Sequence, residues 1–225
     1  MPRPWPARPQ PAVEAILAAV RQLKAARGRQ NTEQALAAAS SAFAEARAQQ
    51  LVNPRLTTVM LKQYANRGAR GHVEDLWAQM RRGEAPTLTP QLATALISSF
   101  GSLGAWHQTH EVLRAARSAG VTNTIVYNSF LHACGRRAKA GGAGDGDGSG
   151  GSSADKLRQR SGHAAANSAR AALHRMLLDG VPADAHSTAL AIGVFGHVGE
   201  LEAARSVLAE AAPGAVGRMR APTPD

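Results

Sequence analysis

Covalent cross-links, aromatic rings and long apolar runs are all scarce in this chain. Its single cysteine, Cys134, leaves no internal disulfide and no cysteine-based zinc centre, and suits a reducing compartment. Aromatic residues make up only 4% against 44% hydrophobic residues in all. A core must therefore be assembled from Ala, Leu and Val, which pack closely spaced helices better than they fill a β-sandwich. No uninterrupted apolar run approaches the roughly 18–20 residues of a membrane span, because Glu14, or Gly193 and Gly196, break the longest ones. No membrane association is expected. Acids are the scarcer charge: 16 Asp and Glu face 26 Lys and Arg, a formal net charge of +10, which draws polyanions to the surface whatever the fold.

What the chain has in quantity is amphipathic helix, arranged with a period. Four segments, TEQALAAASSAFAEARAQQL, HVEDLWAQMRRG, WHQTHEVLRAARSAG and LEAARSVLAEA, share one design, and NSARAALHRMLLDG is a fifth. Aligned on one large apolar residue, they place Phe43, Trp77, Leu113, Leu173 and Leu208 in register. The intervals are close to thirty-five residues except for one of about sixty between Leu113 and Leu173. A smaller residue lies four positions before each and a medium one three positions after, so each helix has a face suited to close packing. Trp77, Leu113, Leu173 and Leu208 are expected to be buried between helices.

A second type of helical run precedes them: TTVMLKQYANRG, QLATALISSFGSLG and HSTALAIGVFGHVG close on Gly68, Gly104 and Gly199, a natural helix stop. YNSFLHACGR opens the same way and then enters a Gly/Ser/Asp-rich stretch. Its length accounts for the excess of the sixty-residue interval, so a flexible, removable insertion is expected at about 137–166. The resulting division is a disordered lead-in at 1–11, a degenerate first repeat at 12–53, and repeats at 54–89, 90–123, 124–184 and 185–211, with a disordered tail at 212–225. The segment AVEAILAAVRQLKAAR, with Ile16, Val20 and Leu23 on one face, reads either as the first repeat helix or as an organellar presequence helix. The architecture expected is all-α, an α-solenoid of about five helix-turn-helix repeats wound into a superhelix.

IVYNSFLHACGR, and GVPAD followed by AHSTALAIGVFGHVGELEAARSVL, resemble the pentatricopeptide repeat in its Tyr-Asn opening, mid-repeat glycine, Leu-x-x-Ala helix and repeat ending. The Trp-x-x-Leu-Gly opening of tetratricopeptide repeats is not seen. The resemblance covers roughly residues 33–211 and implies an inner groove in which each repeat reads one base of single-stranded RNA by two side chains. Carried onto this chain, the early reading positions are Thr58, Thr94, Asn128 and Ala189, and the repeat-end positions are Asn123, or Thr124 in its place, and Asp184. Thr94 with Asn123 implies adenine and Asn128 with Asp184 implies uracil. Ile125 and His186 fall where the family sandwiches bases between repeats. Asn128 and Asp184 read equally well as helix caps.

Catalytic and metal chemistry find little footing. His107 and His110 make an HxxH spacing with no third ligand placed by the sequence. In DGDGSG, which holds Asp145 and Asp147, Ser149 replaces an acidic ligand of a calcium loop and Lys156 stands where its bidentate glutamate belongs. The zinc deaminase signature needs more cysteines than this chain has. No enzymatic activity and no cofactor are expected. The leading expectation is a sequence-selective RNA-binding protein of a chloroplast or mitochondrion, acting in RNA processing, stability or translation. The alternative is a scaffold that binds other proteins along its concave face.

Overall fold

The computed structural model describes residues 11–26, 28–142 and 153–211. Within them the chain forms ten α-helices and no strand: α1 Pro11–Ala25, α2 Arg29–Ala48, α3 Pro54–Asn66, α4 Arg70–Arg81, α5 Pro90–Ser102, α6 Trp106–Ser118, α7 Thr124–Gly142, α8 Ser153–Leu178, α9 Ala185–His197 and α10 Leu201–Ala211. The all-α class expected from the composition is what the chain adopts.

Local sequence sets the starts of α3, α5, α7 and α9 and the ends of α3 and α5. Asn53, Thr89, Asn123 and Asp184 accept the backbone N–H of Leu56, Leu92, Val126 and Ser187 at 2.9, 3.3, 3.0 and 2.7 Å. Each satisfies a donor that the helix start would otherwise leave open. Proline follows the first two caps, where its missing N–H costs nothing. At the other end, Gly68 and Gly104 turn at φ +68°, and the next residues, Ala69 and Ala105, donate back to the Tyr64 and Phe100 carbonyls at 2.9 Å. That is the Schellman closure, which needs the left-handed conformation glycine adopts without strain.

Each helix packs on its partner in the pairs α1/α2, α3/α4, α5/α6, α7/α8 and α9/α10. The odd helices also pack on one another in order, α1 on α3, α3 on α5, α5 on α7 and α7 on α9, so they make one continuous layer. The core lies between this layer and the even helices. Leu92, Leu96, Ile97 and Phe100 of α5 and Tyr127, Phe130, Leu131 and Cys134 of α7 are all buried. At Gly101 an added Cβ would stand 2.7 Å from Ala133 Cβ, so α5 and α7 approach at a distance that only glycine allows.

Among the five aligned residues, Phe43, Trp77 and Leu113 are buried and Leu173 is half-buried against the core. Leu208 is 60% exposed, which corrects the expectation for it. Leu208 sits on α10, which packs on α9, and no described helix follows to cover its outer side. Ile16, Val20 and Leu23 are buried, with α1 against α2 and α3. Arg67 at the end of α3 donates to the Leu23, Lys24 and Ala26 carbonyls, tying the two helix ends together.

The Gly/Ser/Asp stretch differs from its expectation. Residues 137–142 continue α7 and residues 153–166 begin α8 as regular helix, not as a flexible loop. Ala138, Ala165 and Ala166 are fully buried, and Arg137 Nε donates to Ser161 Oγ at 3.0 Å. The small residues that read as linker instead let two helices touch. A Cβ on Gly141 would lie 2.6 Å from the Arg158 carbonyl oxygen, and one on Gly162 would lie 3.0 Å from Val198, the residue that follows α9. Pro11, assigned to the lead-in, is the first residue of α1. The expected disordered segments 1–10 and 212–225, and the DGDGSG loop residues, lie outside the described residues.

Trp77→Ala should cost about 3–5 kcal/mol of unfolding free energy, whereas Leu208→Ala should stay within about 0.5 kcal/mol. Urea denaturation of both variants checks the contrast. Gly141→Ala should lower the urea midpoint despite alanine's roughly 1 kcal/mol advantage in helix propensity, because backbone occupies the space. A raised midpoint would contradict the close crossing of α7 and α8.

Candidate nucleic-acid interface

The outward stripe of the odd-helix layer is set by register. The fifth residues of α3, α5, α7 and α9 are Thr58, Thr94, Asn128 and Ala189, and the ninth residues are Lys62, Ser98, His132 and Gly193. The thirteenth residues are Asn66, Ser102, Arg136 and His197. All of these are exposed or half-buried. Positions four apart lie on one helix face, and the side-by-side packing of the four helices lines these faces into a row. Between α3 and α5 the row opens a cleft of about 310 Å³ lined by Thr58, Lys62, Asn66, Thr94, Ser98 and Ser102 among others.

Asn128 and Asp184 are in direct contact. Asn128 Nδ2 donates to Asp184 Oδ1 at 3.3 Å, and the Ser187 hydroxyl lies 2.6 Å from Asn128 Oδ1 and 2.8 Å from Asp184 Oδ1. Asp184 also caps α9 in a reciprocal capping box with Ser187. These bonds, led by the Ser187 backbone N–H, hold the Asp184 carboxyl below its ordinary range. One Asn128 amide hydrogen and Asp184 Oδ2 are not used by any of these bonds. A donor and an acceptor thus stand side by side at the surface.

The remaining expected readers fall differently. Asn123 caps α7 through its Oδ1, leaving its amide NH2 as a donor. Thr124 begins α7 and donates its hydroxyl to the Pro182 carbonyl at 3.2 Å, so Asn123, not Thr124, holds the register equivalent to Asp184. Thr94 is half-buried in the cleft, and Ala189 is exposed and without a polar group. Ile125 is 64% exposed and His186 is exposed, both as second residues of their helices. Thr58, which had no partner in the sequence, has Thr89 at the corresponding cap.

The sequence reading missed Ser187, Thr89 and the ninth and thirteenth positions. Counting four and eight residues on from each reading position finds the last two sets. It also missed the sorting of charge between layers. The helices α3, α5, α7 and α9 contain no Asp or Glu at all, while they carry Arg55, Lys62, Arg136, Arg137 and Lys139. Apart from Glu14 at the start of α1, the acids of the described residues stand on the even helices and the turns, where Glu111 pairs with Arg81, Glu74 accepts from Gln108, and Glu200 accepts from Arg170. Asp184 is the one acid at the row's edge among the described residues.

The turn that delivers Asp184 is anchored from below. Arg117 of α6 grips the Asp179 carboxylate with two bonds of 2.8 and 2.7 Å, and Tyr127 Oη donates to Asp179 Oδ2 at 2.5 Å. The guanidinium bonds and the tyrosine bond bring the Asp179 carboxyl down to about 2, while burial and the bond to Asp179 push Tyr127 up to about 12.

His107 and His110 do not form a ligand pair. The His110 ring packs edge-on against Trp106 and Phe130, at 4.8 and 4.9 Å, and its Nε2 lies 3.3 Å from Ser168 Oγ. No group of three or more metal-ligating side chains occurs among the described residues. Cys134 is fully buried, and burial pushes its thiol up, away from the reactive thiolate. No described helix is long and apolar enough to cross a membrane. No family model matches the chain, and a search of curated proteins finds no match.

The Asp179 anchor has a pH signature. Its carboxyl titrates near 4 in an unfolded chain and at about 2 when folded, so its stabilisation is present above about pH 4 and is lost as pH falls toward 2. Asp179→Asn should lower the urea midpoint at pH 7 and flatten its decline between pH 5 and pH 2. An unchanged decline would place the acid-sensitive group elsewhere.

Proposed function

We propose that the chain binds single-stranded RNA along the row formed by α3, α5, α7 and α9. The observation that carries this reading is the absence of any acidic residue from these four helices, although α4, α6, α8 and α10 all carry acids. A face built that way meets phosphates without repulsion and gains by releasing their counterions. Its exposed side chains are hydroxyls, amides, imidazoles and cations, groups that hydrogen-bond the edges of unstacked bases. A duplex hides those edges, so the single strand is the preferred partner.

Specificity is assigned to the Asn128–Asp184 pair. A donor beside an acceptor matches a carbonyl beside an N–H on a base, the pattern uracil presents with O4 and N3–H, in agreement with the base that the repeat resemblance implies. The capping box and Ser187 fix both groups before a base arrives, which lowers the ordering cost of binding. Thr94 and the Asn123 amide form the neighbouring reading pair. Ile125 and His186 supply the flat contacts that flank each base. The protein acts by binding alone, with no catalytic centre, and the repeat resemblance assigns it to the transcripts of a chloroplast or mitochondrion.

Selection from randomised RNA should yield a single-stranded site with uracil at one fixed position. Asn128→Ala should reduce discrimination at that position about tenfold, the size of one good base contact, and leave the salt dependence nearly unchanged. Equal affinity for all sequences before and after the replacement would overturn base reading. Binding insensitive to salt would overturn the polyanion interface altogether.

A further inference from the structure

The pair α7/α8 is longer than its neighbours at one end. α7 has 19 residues against 13 in α3, α5 and α9, and α8 has 26 against 12 in α4 and 13 in α6. At 1.5 Å per residue the extensions amount to about 9 Å on α7 and roughly 20 Å on α8. They are held in place, since Gly141 abuts the backbone of Arg158 and Gly162, and Gly162 seats Val198 beyond the end of α9. The feature is a packed projection at the end of the row where His197 lies.

Its surface is basic. Lys139, Lys156, Arg158 and Arg160 are all exposed. The acid among them in the described residues is Asp155, 3.9 Å from Arg158 and itself exposed, while Glu200 nearby is held by His163 and Arg170. Between the projection and α9 runs an open cleft of about 370 Å³, lined by Asp155, Arg158, Gln159, His163 and His197 among others. His197 belongs to both the cleft and the row of thirteenth positions, so a strand lying on the row leads into the cleft.

We infer that this projection is a phosphate clamp: Arg158 in the cleft, and Lys156, Arg160 and Lys139 exposed on the projection outside it, hold the sugar-phosphate backbone of the RNA strand as it leaves the base-reading row and passes over the projection. The inference rests on the single-stranded RNA reading of the row and adds a second, sequence-independent site to it. The occupant follows from charge complementarity. Among the described residues, four exposed cations with one exposed acid suit a chain of phosphates, and the cleft's open form suits a backbone that passes through better than a small molecule enclosed. Phosphate contacts position a strand without choosing its bases, so base choice and grip reside on different elements.

The test is the triple replacement Lys156→Gln, Arg158→Gln, Arg160→Gln in the full chain, with binding of a selected single-stranded RNA followed by fluorescence anisotropy over a salt series. Removing one phosphate contact should flatten the slope of log affinity against log salt by about 0.7. The triple variant should therefore bind every RNA at least tenfold more weakly, with a slope about 2 shallower and base preference opposite Asn128 unchanged. Thermal melting checks that it folds. Should it not, the single variants Lys156→Gln and Arg160→Gln, both at exposed positions, should each flatten the slope by about 0.7. An unchanged slope in a folded variant that still selects its base overturns the clamp and leaves the row intact. Failure of the unaltered chain to bind any RNA overturns both. Loss of binding to anionic phospholipid vesicles, with RNA binding untouched, overturns the clamp in favour of a membrane-surface role.

Discussion

The constraint on which the rest of this structure depends is that the odd-numbered helices pack side by side in one layer. Helices that approach as closely as α5 and α7 do at Gly101 and Ala133 need small residues at the crossing and apolar ones around it. That leaves each of them a single narrow stripe free to face outward. Because α3, α5, α7 and α9 start from caps in the same register, their stripes align, and the surface becomes a row of equivalent positions. The row is a consequence of packing before it is a property of any one side chain.

Charge follows the same division. The even helices meet one another through long polar side chains across wider gaps, as in Arg81 with Glu111 and Gln108 with Glu74, and acids are useful there because each has a donor to accept from. On the odd layer, neighbouring stripes stand about one helix diameter apart, and an acid would face no fixed partner. Surface ion pairs of this type contribute little to stability. Their effect is on the electrostatic field, which is left positive or neutral over α3, α5, α7 and α9.

Asn128 and Asp184 show how a structural role coincides with the binding role we propose for them. A cap needs an acceptor with fixed orientation, and so does a base contact. Asp184 uses Oδ1 for α9 and Asn128, which leaves Oδ2 outside these bonds, while Asn128 gives one amide hydrogen to Asp184 and keeps the second. Beneath them Arg117 and Tyr127 hold Asp179, so the turn carrying Asp184 is braced against the second layer. The pair is rigid because the fold requires it.

Much of this was legible in the sequence. Apolar periodicity, a spacing near thirty-five residues and glycines at helix ends determined the helices and their pairing, since each of these is a local requirement of the backbone. The proposed reading positions could be named because they stand at a constant offset from those ends. Three things came only from tertiary structure. Leu208 repeats the pattern of Trp77 and yet is exposed, because burial depends on whether another helix arrives and not on the helix itself. The Gly/Ser/Asp stretch has the composition of a linker, but in contact with a partner helix Gly141 and Gly162 become the means of close packing; composition records flexibility in isolation, and packing removes it. The acid-free face became visible only when helices distant in sequence were laid beside one another, since from α3 onward helices without and with acids alternate along the chain and only the stacking of every second helix gathers the acid-free ones into one surface.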